Sequence, residues 1–349
     1  MRVLILYTEL AGYVLGNFKR FLDLHPGAEL LVVHYPVNPE APFNFESYQG
    51  AKFIVFDKDS VEVQAQEIID FKPQAVLCSG WGNRVYLDWV KALNPNVKRV
   101  ICFDNQWKGT LKQRILSLIS GMTFLKMFRY AWVPGEPQKQ YAIKLGFKDS
   151  HVFTGLYPAD SELFIPIGKK KLTEKGAYPK VMLSVARYIP QKDLPTMWEA
   201  FIEANAASGN KWALQCIGFG EQFDQRIQDP SITHLGFKQP KEIESYVLNA
   251  GVYVLPSIYE PWGVAVHEMA LSGLPLVLSD KVGAASMFLN SKNGFAFKAG
   301  DKEALVKIFN TIMQMSDEAL WNMAEASYQS GLQLSSNNWA GTMSKILND

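Results

Sequence analysis

The chain has 349 residues, 48% of them hydrophobic, with 35 Lys+Arg against 34 Asp+Glu. That length exceeds what one hydrophobic core usually organises, so two domains are expected, and the near-zero net charge excludes a whole-protein electrostatic case for nucleic acid. No uncharged apolar run reaches the roughly 18 residues of a membrane span and no leader precedes the first apolar run, while Cys78, Cys102 and Cys216 each sit in an apolar run, the pattern of buried free thiols in a cytoplasmic protein.

Strand-like and helix-like segments alternate along the chain. The first half predicts strands near 2–7, 29–34, 52–56, 75–79, 98–103, 130–133 and 151–153. Helices are expected between them near 11–23, 61–71, 84–93, 108–128 and 136–145. The second half repeats the scheme, with strands near 180–186, 212–217, 232–235, 252–255, 275–278 and 294–297, and turns helical after Asp301. Such alternation predicts α/β architecture with parallel sheets covered by helices. Pro166 to Pro179 reads as a surface excursion before the second sheet. No internal repeat stands out.

Open α/β sheets bind ligands beyond the carboxyl ends of their strands. In the first half three loops hold such positions: Thr8 to Gly12, Ser79-Gly80-Trp81-Gly82-Asn83, and Asp104-Asn105. Trp81 suits stacking on a sugar ring or filling a crevice. Asp104 suits a ligand contact or a loop cap. Between Trp107 and Arg129 lie Lys108, Lys112, Arg114, Lys126 and Arg129 with no acidic residue, interleaved with bulky apolar side chains. That composition suits an anionic membrane surface, such as the inner face of the plasma membrane. It equally suits a helix that buries its apolar stripe in its own core. Residues 1–150 carry 18 Lys+Arg against 14 Asp+Glu, and the remainder 17 against 20, so positive charge is concentrated in the first half.

The richest stretch is Ser257 to Pro275, SIYEPWGVAVHEMALSGLP. The apolar run Val252 to Leu255 precedes it as a buried strand, and Pro261 suits the first position of the helix that follows. The N–H groups of Gly263, Val264 and Ala265 would then lie unpaired in the first turn, a natural phosphate site. Glu260 and Glu268 are eight residues apart, about 12 Å along a helix. One could hold ribose hydroxyls and the other sugar hydroxyls, with a diphosphate between them. A second strand-like run, Lys180 to Arg187, ends on a cation, and Lys192 follows five residues later. Ala213 to Gly220 ends in Gly218-Phe219-Gly220, a glycine turn after a further strand.

The segment Glu260-Pro261-Trp262-Gly263, with Glu268 and Gly273-Leu274-Pro275, closely resembles the signature of family 4 retaining glycosyltransferases. Trp262 stands where Phe is commoner. The resemblance implies a GT-B fold: two Rossmann-like domains facing across a cleft, the first (1–155, with 333–349 crossing back) for the acceptor and the second (156–332) for the nucleotide-sugar donor. It implies that Glu260 contacts the donor sugar, Glu268 the ribose, and Arg187 and Lys192 the diphosphate. Gly218 and Gly220 match the family's Gly-x-Gly, Phe237 and Lys238 the loop lining the nucleobase, and Gly12 the glycine-rich loop after the first strand. Trp81, Asn83, Asn105 and Asp104 are the acceptor-side candidates. Residues Gly155 to Phe164 resemble the family's interdomain linker.

The implied reaction moves a hexose from a UDP- or GDP-linked donor to a hydroxyl acceptor, carbohydrate or lipid-linked, in polysaccharide biosynthesis. The nucleotide sugar is a co-substrate; no cofactor and no metal is expected. The alternatives are a nucleotide-sugar epimerase of the same fold and a noncatalytic sugar-nucleotide binding module. A dinucleotide enzyme is disfavoured because Phe223 stands where G-x-G-x-x-G needs its third glycine, and a zinc hydrolase because H-E-x-x-H fails at Leu271.

Overall fold

Thirteen short apolar runs form two all-parallel sheets in the computed structural model, which describes every residue except 41, 43, 45, 46 and 210. The chain divides into two units. The first comprises residues 1–38, 43–158 and 335–349, and the second residues 39–42 and 159–334.

In the first unit the strands are β1 (Arg2–Leu6), β2 (Glu29–His34), β3 (Ala51–Val55), β4 (Ala75–Ser79), β5 (Lys98–Cys102), β6 (Tyr130–Trp132) and β7 (Val152–Phe153), in the order 3-2-1-4-5-6-7. Helices α1 (Gly12–Leu24), α2 (Val61–Phe71), α3 (Arg84–Ala92), α4 (Leu111–Ile119), α5 (Phe124–Met127) and α6 (Glu136–Lys144) make the crossovers. In the second unit α7 (Ser161–Thr173) precedes β8 (Val181–Val185), α8 (Leu194–Ala207), β9 (Ala213–Ile217), β10 (Ile232–His234), α9 (Pro240–Asn249), β11 (Val252–Leu255), α10 (Val264–Leu271), β12 (Leu276–Ser279), α11 (Ala285–Phe288) and β13 (Gly294–Phe297). The strand order is 10-9-8-11-12-13. Then follow α12 (Lys302–Gln314), α13 (Asp317–Gly331) and α14 (Ser336–Asn348).

The central strands read as near-continuous apolar runs because helices cover both faces of a parallel sheet. Two clusters sandwich the first sheet, and Trp339 and Met343 of α14 belong to one of them. The Trp339 ring stacks on Trp132 of β6 at 5.0 Å. Polar caps set helix starts: Asn83 accepts from the N–H groups of Val85 and Tyr86 at α3, and Ser335 from Asn338 at α14.

Two expectations need correction. Residues 166–173 are helical, not a surface excursion. Asp160 caps α7 by accepting from the Glu162 N–H, Phe164 and Ile167 bury its inner face, and Pro166 costs it a single backbone bond. The long helix expected over 108–128 is broken into α4, a tighter turn at Ser120–Met122 and α5. Gly121 within that turn weakens helix continuity.

Candidate active site

In each sheet the strand order reverses beside one strand, and the loops leaving its two sides open a crevice at the carboxyl edge. In the second sheet that strand is β8, paired with β9 on one side and β11 on the other. The loop after β8 carries Arg187 and Lys192, and the loop after β11 carries Glu260. Backbone bonds tie the two loops together: the N–H groups of Ile258 and Tyr259 both donate to the Gln191 carbonyl, at 2.9 and 3.4 Å.

Across this crevice the Lys192 ammonium donates to the Glu260 carboxylate, both side chains mostly buried at 15% and 12% exposure. The pairing joins the diphosphate and sugar candidates of the sequence reading, which lie 68 residues apart. Arg187 is exposed at the rim, its guanidinium 3.6 Å from the Glu40 carboxylate.

Pro261 does not open the helix. Glu260 to Trp262 runs instead as a tethered strand-like segment: Glu260 N–H donates to the Lys281 carbonyl, and the Glu260 and Trp262 carbonyls accept from Gly283 and Ala284. Gly263 then reverses the chain at φ +91°, a conformation side chains disfavour, and α10 starts at Val264. The indole of Trp262 is buried against Phe288, with no hydrogen bond to its Nε1 among the described residues. The N–H groups of Val264 and Ala265 carry no partner among the described residues, while Val266 N–H bonds the Gly263 carbonyl. Those two donors and the positive end of the helix dipole mark a place for an anion.

Glu268 lies one turn into α10. Its carboxylate makes no hydrogen bond or ion pair among the described residues, and burial, helped by the negative charge of Asp160, pushes its pKa up to about 7. Glu260 and Glu268 share a neighbourhood: both raise the pKa of the buried Tyr253 hydroxyl, which donates to the Val185 carbonyl at 3.3 Å.

The glycine turn after β9 closes against the β8 loop. Gly218 stands so near the Ala186 carbonyl that a Cβ would come within 1.9 Å of it, so only glycine fits. Gly220 and Phe219 follow, with Tyr188 N–H donating to the Phe219 carbonyl. Phe237 and Lys238 are half-buried in the segment between β10 and α9, and the Gly236 carbonyl accepts from Gly218 N–H.

Gly12, Trp81, Asn83, Asp104 and Asn105 belong to the first unit. Gly12 is the first residue of α1. The Trp81 ring packs on Phe103, Phe124 and Tyr141, which makes it part of that core. Asn83 is spent on the α3 cap. Asp104 is half-buried, and its backbone carbonyl accepts from Gln138; Asn105 is exposed.

Sequence reasoning missed several groups. At the first sheet's reversal, the phenols of Tyr7, Tyr13 and Tyr157 form a cluster: the Tyr13 and Tyr157 rings meet edge-on at 5.9 Å, and burial, helped by the negative charge of Asp104, raises the Tyr157 pKa. Nothing in their spacing (7, 13 and 157) signals a cluster. His267, considered only as a metal ligand, is fully buried, with its pKa lowered by burial to about 4. Its Nδ1 accepts from Ala159 N–H at 2.8 Å and its Nε2 bonds the Gly331 carbonyl at 3.0 Å, so it locks α10 to the chain on either side of the unit. Among the described residues no group of three or more His, Cys, Asp or Glu could hold a metal ion.

Known proteins resemble this chain in part of its sequence and in its fold. Residues 169–330 match the family model of glycosyl transferases group 1. A curated relative, the amylovoran biosynthesis glycosyltransferase AmsK of Erwinia amylovora, is 29% identical over 157 residues, a match that covers 41% of this chain and only 38% of AmsK. Among solved structures, Anabaena Alr3699/HepE in complex with UDP-glucose superposes with a TM-score of 0.73 at 15% identity, covering 100% of this chain and 99% of that one. Sucrose-phosphate synthase of Thermosynechococcus elongatus gives 0.72 at 15%, covering 100% and 98%. The two parallel-sheet units are those of the GT-B fold.

Proposed function

We propose that the protein is a retaining glycosyltransferase that moves a hexose from a UDP- or GDP-linked donor to a hydroxyl acceptor. The observation that carries this reading is Glu268: a half-buried carboxylate without a protein partner, one turn beyond two free N–H groups and beside the Lys192–Glu260 pair. A carboxylate in that setting accepts from a vicinal diol, and a ribose offers one. The helix start receives phosphate oxygens, Arg187 and Lys192 take up the charge that grows on the leaving diphosphate, and Glu260 turns to the sugar hydroxyls. The Lys192–Glu260 pair keeps both groups neutralised until a donor separates them. No side chain at the site is assigned as a protein nucleophile, so the acceptor attacks on the face the diphosphate leaves, and the leaving phosphate takes its proton. The same reading places a carbohydrate or lipid-linked hydroxyl at the acceptor side and a role in glycan biosynthesis, as the name of the amylovoran biosynthesis relative suggests.

The test is donor turnover. The protein is incubated with a panel of UDP- and GDP-hexoses, and released nucleoside diphosphate and sugar are followed by NMR. Slow release of free sugar from one donor, with the α- or β-configuration kept, is expected even without acceptor. An interconverted nucleotide sugar would identify an epimerase, and binding without release to any hydroxyl acceptor supplied would identify a binding module.

A further inference from the structure

One face of the first unit has no role in donor chemistry. Helix α4 has no buried residue at all. Leu111, Ile115, Leu118, Ile119 and Met122 recur at helical spacing, and Leu111, Leu118 and Met122 are 75%, 83% and 67% exposed. At about 100° per residue these five occupy one stripe, with Lys112 on one flank and Arg114 on the other. A globular helix normally turns that stripe inward; here only Leu116 on the other side packs against the core.

The stripe runs into one cavity, which shares lining residues with a second. Met122 and Leu116 line a predominantly apolar one of about 620 Å³ under the helix, with Lys91, Arg99 and Lys126 among its lining residues. Arg99 and Lys126 also line a second, of about 550 Å³, where Lys98, Arg129, Lys148 and His151 join them. Among the described residues no acidic one lines either cavity; Asp349, paired with Arg129, and Asp88, paired with Lys91, are carboxylates bound to lining cations. The second cavity is built from residues that lead into β5, β6 and β7, so it lies at the amino edge of the first sheet, opposite the edge where its loops at the strand reversal emerge.

We propose that this face docks on an anionic lipid bilayer. The apolar stripe enters the acyl boundary, Lys108, Lys112 and Arg114 reach the headgroups, and the cationic cavity receives a lipid phosphate. Charge complementarity favours lipid over a protein partner: a set of cations that outnumbers its bound carboxylates, beside a narrow row of aliphatic side chains, matches a surface of phosphates over hydrocarbon. A second copy of the chain would bring like charges together.

The experiment uses the full chain and vesicles of phosphatidylcholine with or without phosphatidylglycerol, at low salt. Cosedimentation is expected with anionic vesicles, not neutral ones, and is reversed by salt. Joint replacement Lys108→Gln, Lys112→Gln and Arg114→Gln should lower the partition coefficient by about 10²-fold, and Leu111→Gln, Leu118→Gln and Met122→Gln by about tenfold or more. Circular dichroism checks the fold, and the single variant Leu118→Gln, at the most exposed position of the stripe, serves where a triple variant fails to fold. Wild-type protein left in the supernatant at low salt overturns the proposal. So does a stripe variant that binds like wild type, or a lipid-free dimer that the stripe variant abolishes. Donor release is read separately, so failure here leaves the transferase reading intact.

Discussion

The two sheets share one topology, with strands added in the same order about a central reversal and one more strand in the first, yet they present different chemistry there. At the reversal of the second sheet stand Arg187, Lys192, Glu260 and Glu268. At that of the first stand the phenols of Tyr7, Tyr13 and Tyr157 beside Asp104. Topology chooses where loops emerge, and side chains choose what they hold. Charged groups at the second edge suit a diphosphate and its sugar, while neutral hydroxyls at the first suit another hydroxylated molecule. The units also differ in how they are finished. The first is completed by α14 from the far end of the chain, and the second, apart from residues 39–42, is built from one continuous stretch.

The largest expected effect strikes that completion. Trp339→Ala removes the ring stacked on Trp132 and should cost about 3–5 kcal/mol. Calorimetry should show the first unit melting earlier while UDP or GDP binding by the second unit survives. Loss of both together would show that the units do not behave as separate cores.

The next effect tests the charged edge. Lys192→Ala should lower kcat by about 10²-fold, as expected for loss of a group that stabilises leaving-group charge, and exposed Arg187→Ala by less. The fold should survive both. Wild-type turnover in Lys192→Ala would remove the diphosphate clamp from the second edge.

Glu268 sharpens the comparison further. With its pKa near 7 the carboxylate is half-protonated at neutrality, and only the ionised form accepts from both hydroxyls of a diol. Affinity for the nucleoside, which has no titrating phosphate, should therefore rise with pH and level off above about 7. Glu268→Gln should flatten this profile, whereas Glu260→Gln should leave nucleoside affinity unchanged and impair donor turnover. The stability sign is opposite. A carboxylate whose folded pKa is raised holds its proton more tightly in the native state, so its contribution is greatest at low pH and is lost as pH rises toward 7. Glu268→Gln should accordingly raise the second unit's Tm at pH 8, by about 2 °C, and leave it unchanged near pH 4. A pH-independent affinity in wild type would detach Glu268 from the ribose.

The smallest expected effect is none. With Arg187, Lys192 and the start of α10 supplying positive potential, activity should persist in excess chelator. Metal-reversible loss would reassign the phosphate site.

The second unit was the more legible because its site is built from short contiguous stretches. Val252 to Leu255 reads as a strand, and Gly263 follows within a few residues, so local chain geometry confines Glu260 and Glu268 to one region. Pro261 misled, because the tether of Glu260 to Lys281 and Val282 holds it outside the helix. The first unit was opaque because its phenol cluster joins positions 7, 13 and 157, and because Asn83 is an N-cap in space and only a loop asparagine in sequence.

Alternation of apolar runs and helical periods was enough to specify parallel α/β sheets, since backbone hydrogen bonding and side-chain period act over a few residues. The cation-and-carboxylate composition of the loops was equally readable. What only the tertiary structure decided depends on neighbours remote in sequence: the Lys192–Glu260 pair, the elevated pKa of Glu268, the lock of His267 between Ala159 and Gly331, and the outward turn of the α4 stripe. Periodicity tells that a helix has an apolar face. Whether that face meets a core or water depends on what the rest of the chain packs against it, and the energy of a charge depends on the dielectric that packing creates.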